Sequence, residues 1–118
     1  MNNLTRNLAC SWGNRGVRVN ALLPGYFPSE MTDQFFALDG YTKYVEDCTA
    51  VGRVGRAGEL AGPLLLLASD AGSYMTGHLL TVDGGYSASI GGRPFPDSVY
   101  AGLRAVFPDG RVDHIGPG

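Results

Sequence analysis

Arg18-Val19-Asn20-Ala21-Leu22-Leu23-Pro24-Gly25 decides how the rest of this chain is read. The run to Leu23 is rich in apolar residues suited to an extended segment, and Pro24-Gly25 breaks it by fixing one φ angle and then freeing the next. The stretch predicts a buried strand that ends in a loop. In open α/β sheets ligands sit beyond the carboxyl ends of strands, so the residues that follow Leu23 are the first place to look for a site.

Working outward on the N-terminal side, Met1, Leu4, Leu8 and Trp12 recur at three- and four-residue steps, which predicts a helix packed on one side along that apolar stripe. No Ser, Thr or Asp cap precedes it, so it reads as the second half of a longer helix. Gly13-Asn14-Arg15-Gly16 then supplies the residues that end helices in left-handed conformations. The unit is helix, tight turn, strand.

On the C-terminal side, Tyr26 to Thr32 has no regular period and contains Pro28, which predicts a loop. Thr32 or Asp33 can cap a helix running to about Ala50, interrupted at Gly40. Its Phe35, Phe36, Leu38, Tyr41, Tyr44 and Val45 serve either as core packing or as a lid beside a strand end. Gly52 to Gly58 follows a helix and lacks the Lys-Ser/Thr pair of a phosphate loop, so it is a turn. A helix from about Glu59 to Ser69 is apolar enough at Leu64 to Ala68 to be buried on most sides. His78 to Asp83 is a second strand halted by Gly84-Gly85. His78, with no Ser or Cys partner nearby in sequence, reads as a surface or hydrogen-bonded residue. A long connection holding two helices joins the strands, which suits parallel neighbours.

Composition narrows the classes. The 118 residues suffice for one small domain, and a net charge of −2 without a basic cluster argues against a nucleic-acid partner. No apolar run approaches a membrane span and no signal peptide opens the chain, so a cytoplasmic setting is expected. Cys10 and Cys48 lack CxxC spacing and a surrounding ligand set, so both are expected as reduced thiols, with no metal site.

Leu4-Thr5-Arg6-Asn7-Leu8-Ala9, Gly16 through Gly25, Gly52-Arg53-Val54-Gly55, Leu67-Ala68-Ser69-Asp70-Ala71 and Thr76 through Gly85, in that order, resemble the C-terminal half of a short-chain dehydrogenase/reductase. The resemblance covers residues 1–86, with 87–118 as a Gly/Pro-rich extension. It implies an α/β fold: the C-terminal part of a doubly wound, Rossmann-type parallel sheet, two strands with flanking helices, incomplete. It also implies NAD- or NADP-dependent oxidoreduction of an alcohol or carbonyl in a homo-oligomer, with residues 78–89 similar to gluconate and polyol dehydrogenases.

By the same resemblance, Pro24 and Gly25 shape a cofactor-facing loop. The backbone at Phe27 would contact the nicotinamide carboxamide, and Ser29 would hydrogen-bond the carboxamide or a phosphate. The family's Gly-rich turn, catalytic Ser and Tyr-x-x-x-Lys pair have no counterpart here; four positions after Tyr41 and Tyr44 stand Val45 and Cys48. No catalytic residue is therefore assigned, and the chain is expected to be inactive alone. Two parallel strands make a small sheet, so partial order or self-association is expected. A non-catalytic module that joins family subunits is the alternative.

In the extension, Gly91-Gly92, Pro94, Pro96, Pro108, Gly110 and Gly116-Pro117-Gly118 oppose long regular elements. Val99, Leu103, Val106 and Phe107 share a face, which predicts a helix from Asp97 or Ser98 through Val106 before Pro108 stops it. The extension as a whole reads as a disordered tail or as an arm packed on another subunit, because Phe95, Tyr100 and Phe107 need cover.

Overall fold

The computed structural model describes residues 2–89 and 95–114, so the expectations for Met1, Gly91-Gly92, Pro94 and Gly116-Pro117-Gly118 lie outside the described residues. The chain divides into two compact units: residues 1–25 with 56–83, and residues 26–55 with 84–118.

The first unit is built on the opening stretch. Helix α1 (Asn2–Trp12) ends in a short 3₁₀ turn at Gly13–Arg15, and Gly16 takes a φ of +80° that its missing Cβ makes inexpensive. Strand β1 (Ala21–Pro24) pairs in parallel with β2 (Leu79–Val82), in the register Ala21↔Leu79 to Pro24↔Val82. Two short 3₁₀ turns flank helix α4 (Ala61–Ala68), which lies between the strands in sequence; Pro63 falls in its first turn, where its missing N–H costs nothing.

Three expectations are corrected here. On α1 the buried residues are Thr5 and Ala9, while Leu4, Leu8 and Trp12 stay exposed. Ala9 lies on the face that meets Gly77, where a Cβ on that glycine would make an ordinary contact at 3.4 Å, and the leucine stripe meets no comparable cover among the described residues. On α4, Leu64, Leu65 and Leu66 are exposed, Leu65 at 65%, rather than buried on most sides. The strands are also only half-buried at Ala21 to Leu23, because a two-stranded sheet leaves its outer edges and faces uncovered among the described residues.

The second unit opens with the loop after Gly25, continues into α2 (Asp33–Phe36) and α3 (Tyr41–Cys48), and closes with α5 (Asp97–Val106). Gly40, at φ +79°, divides the expected single helix into two. Tyr44, Val45 and Cys48 form the buried centre, surrounded by Tyr26, Phe36, Tyr41, Val54, Tyr86 and Phe95. For Tyr44 and Val45, core packing is the observed role. The expected helix in the extension forms with the predicted bounds, with Val99 and Tyr100 buried.

Candidate functional site

In the first unit the entry to both strands is wired by polar residues that the hydrophobic pattern would not place in a strand. The Arg18 guanidinium donates to the carbonyls of Met75 (3.2 Å) and Ser69 (3.1 Å). Asn20 uses both ends of its amide: Nδ2 donates to the Met75 carbonyl at 3.0 Å, and Oδ1 accepts from the His78 N–H at 3.1 Å. Thr76 accepts from the Val19 N–H through its hydroxyl at 3.1 Å. These bonds lock the segment before β2 against the segment before β1, which fixes the register of the parallel pair. His78 is exposed and bonded through its backbone, in line with its sequence reading.

Pro24 is the last residue of β1, one position beyond the expected end, and is exposed. The Gly25 N–H then donates to the Val82 carbonyl at 2.9 Å, continuing the ladder. A Cβ on Gly25 would lie 2.6 Å from the Asp83 Cβ and 2.7 Å from its Cα, a distance that real Cβ atoms do not adopt. Glycine is required at this strand end by close approach.

In the second unit, the Phe27 ring covers Gly55 so closely that a Cβ there would sit 2.3 Å from the ring, and the Gly55 N–H donates to the Tyr26 carbonyl at 2.9 Å. Thr32 organises the loop. Its hydroxyl accepts from the Ser29 N–H (2.9 Å), lies 3.0 Å from the Ser29 hydroxyl, and reaches the Phe27 carbonyl at 3.2 Å. Thr32 occupies the N-cap position of α2 without a side-chain cap bond, because its hydroxyl is turned back onto the loop. Ser29 is exposed, and its carbonyl accepts from the N–H groups of Thr32 and Asp33, both at 2.8 Å. The structure thus brings Phe27 and Ser29 together through Thr32, a link the sequence marked only as a capping candidate.

Sequence reasoning gave Tyr41 and Tyr44 a core or lid role but none to Tyr26 and Tyr86. The Tyr26 ring meets Tyr86 edge-on at 5.0 Å and Tyr41 at 6.2 Å, and Tyr41 meets Phe36 at 5.2 Å. Burial, then the hydrogen bond and proximity of Tyr86, hold the Tyr26 phenol well above its ordinary value. Burial also raises Tyr44, assisted by its hydrogen bond to Cys48, and raises Tyr41, assisted by nearby Tyr86. The signal was available only in part: Tyr26 and Tyr86 are the first aromatic residues after the two strand ends. Cys10 and Cys48 are free thiols, exposed and buried respectively.

The family model described as enoyl-(acyl carrier protein) reductase matches residues 1–87. The chain belongs to the short-chain dehydrogenase/reductase family. It is 41% identical to the gluconate 5-dehydrogenase of Gluconobacter oxydans over 88 residues, covering 75% of this chain and 34% of that protein. It is 50% identical to the galactitol 2-dehydrogenase (L-tagatose-forming) of Cereibacter sphaeroides over 84 residues, covering 71% of this chain and 33% of that one. The crystal structure of a gluconate 5-dehydrogenase from Burkholderia cenocepacia in complex with NADP and tartrate superposes with a TM-score of 0.73 at 31% identity, over 75% of this chain and 35% of that one. The chain spans about a third of the length of the curated relatives it matches. The fold is accordingly part of a Rossmann-type α/β sheet, of which β1 and β2 are a parallel pair. Among the described residues, no helix is long and apolar enough to cross a membrane.

Proposed function

We propose that this chain is the trailing part of an NAD- or NADP-dependent oxidoreductase that interconverts an alcohol and a carbonyl on a sugar acid or polyol. Similarity to a gluconate and a galactitol dehydrogenase supports the substrate class, and the NADP held by a related gluconate 5-dehydrogenase supports the cofactor. The observation that carries the reading is the strand end itself: a parallel pair terminating at a glycine that admits no side chain, where ligands of such sheets gather.

Pro24 and Gly25 set the exit of the chain from β1, and the Ser29 hydroxyl faces solvent beside that of Thr32. Either hydroxyl of this pair can donate, so Ser29 can answer a carboxamide or a phosphate oxygen, with the Phe27 backbone beside it. A bound nicotinamide would supply or accept the hydride. This chain's residues bind and orient; the Tyr-x-x-x-Lys pair that moves the proton in the family has no counterpart among residues 1–118, so the chain alone is inactive. The complete protein is a cytoplasmic homo-oligomer.

Calorimetric titration of NAD and NADP into this chain and into a version extended upstream in the same reading frame tests the reading. Binding by the extended protein, weakened by Ser29→Ala, is expected. Failure of the extended protein to bind either nucleotide overturns it, as does alcohol or ketone turnover by the purified 118-residue chain.

A further inference from the structure

The family match ends at residue 87, yet the chain beyond it contributes a large share of the second unit's interior. The Phe95 ring lies 4.4 Å from Tyr44, 5.9 Å from Tyr41 and 5.8 Å from Tyr100, so it joins the α3 aromatics to α5. Val99 is wholly buried. Phe107, just past the end of α5, meets Phe35 of α2 at 6.2 Å. Between these points the α5 backbone comes so close to Leu38 that a Cβ on Gly102 would lie 2.6 Å from its Cδ2, and the Ser98 hydroxyl would stand 2.8 Å from a Cβ on Gly40. The extension therefore touches α2, the bend at Gly40 and α3 in succession.

That succession matters because α2 has four residues and α3 eight. Helices this short do not hold themselves in water, so their place is set by what packs on them. From α2 the connection runs directly to the loop, since Thr32 at its N-cap position binds the Phe27 carbonyl and the Ser29 N–H. We propose that residues 95–107 are a clasp that holds α2 and α3, and through Thr32 the loop carrying Phe27 and Ser29, in one position, with Phe95 as the positioning residue. The clasp acts on position alone, so it holds whether or not the loop binds a nicotinamide.

Amide hydrogen exchange on the full chain tests it without any cofactor. In Phe95→Ala, amides of residues 29–48 are expected to exchange about tenfold faster, as for a locally opened segment, while those of β1 and β2 keep their rates. Gly102→Leu, which removes no contact but wedges α5 away from Leu38, is expected to do the same. Phe95→Leu, which restores most of the lost volume, is expected to recover most of the protection. Unchanged exchange over 29–48 in both disruptive variants overturns the clasp. So does an equal rise in β1 and β2, which would make residues 95–107 a general support rather than a local one.

Discussion

The two units invert the usual relation between regular structure and burial. The first holds the parallel pair and most of the family's sequence blocks, yet Leu4, Leu64 and Leu65 are more than half exposed, and its buried side chains are the small Thr5 and Ala9. The second has short helices and irregular loops, yet it buries Tyr44, Val45, Cys48, Val99 and Tyr100. Secondary structure is dictated by local pattern, whereas burial depends on what else packs against that pattern. The first unit shows a frame awaiting cover, and the second shows cover already in place.

The strongest way to break this comparison is to remove an aromatic side chain from one unit and a leucine from the other. Tyr44→Ala is expected to destabilise the second unit by about 3 to 5 kcal/mol, as for other large buried rings. Leu65→Ala should cost under about 0.5 kcal/mol, as for exposed positions. Local exchange protection at α3 and α4 reads both, and similar costs at the two sites would erase the distinction. Leu65→Lys should in addition lower any self-association seen in sedimentation velocity, because it interrupts the exposed Leu64 to Leu66 run.

Next in size is the strand end. Gly25→Ala forces a Cβ onto the Asp83 backbone and is expected to cost about 1 to 3 kcal/mol, read from the urea midpoint and from exchange at Val82 and Gly25. A neutral outcome would mean that β1 and β2 separate there without penalty. It would also remove the close approach on which the proposed ligand position rests.

How far these features could be read from sequence follows from where each signal lies. The strands, the Gly13 to Gly16 turn and α5 were legible because apolar pattern and terminating residues coincide within a few positions. The buried side of α1 was not, since the leucine spacing gives a stripe but cannot show that Thr5 and Ala9, rather than that stripe, meet a partner among the described residues. Exposure of α4 was hidden for the same reason: Leu64 to Ala68 looks buried wherever a partner exists. At the end of β1, Pro24 and Gly25 were legible as the residues that close the strand. The Thr32 hydroxyl turned back on the loop and the edge-on Tyr26–Tyr86 contact are tertiary outcomes of residues whose types suit many other roles.

Alkaline pH separates the units by a different lever. Unfolded phenols ionise near 10, and burial holds Tyr26, Tyr41 and Tyr44 above that in the folded chain. Folded values above unfolded ones mean the contribution is complete below about pH 10 and is lost as pH rises through the folded values, because only the unfolded chain sheds those protons freely. Exchange protection in α3 should fall from about pH 10 upward, ahead of that in β2. Tyr26→Phe should blunt the fall, and a stability that is level through this range would contradict the buried cluster.

The smallest expected effect sharpens the comparison to neighbouring residues of one helix. Lys43 pairs with Asp47 one turn along α3, with 70% and 40% of their side chains exposed. Solvent screens such a pair and both side chains lose freedom in forming it. The order, with Lys nearer the N-terminus, is also the weaker one against the helix dipole. Asp47→Asn should therefore shift α3 stability by no more than about 0.5 kcal/mol and should lose even that in high salt. Tyr44, one position from Lys43, is expected to matter several times more although it carries no charge. A double-mutant cycle between Lys43→Ala and Asp47→Asn giving a coupling as large as the Tyr44→Ala cost would show that α3 is held by its charged face rather than by its aromatic one.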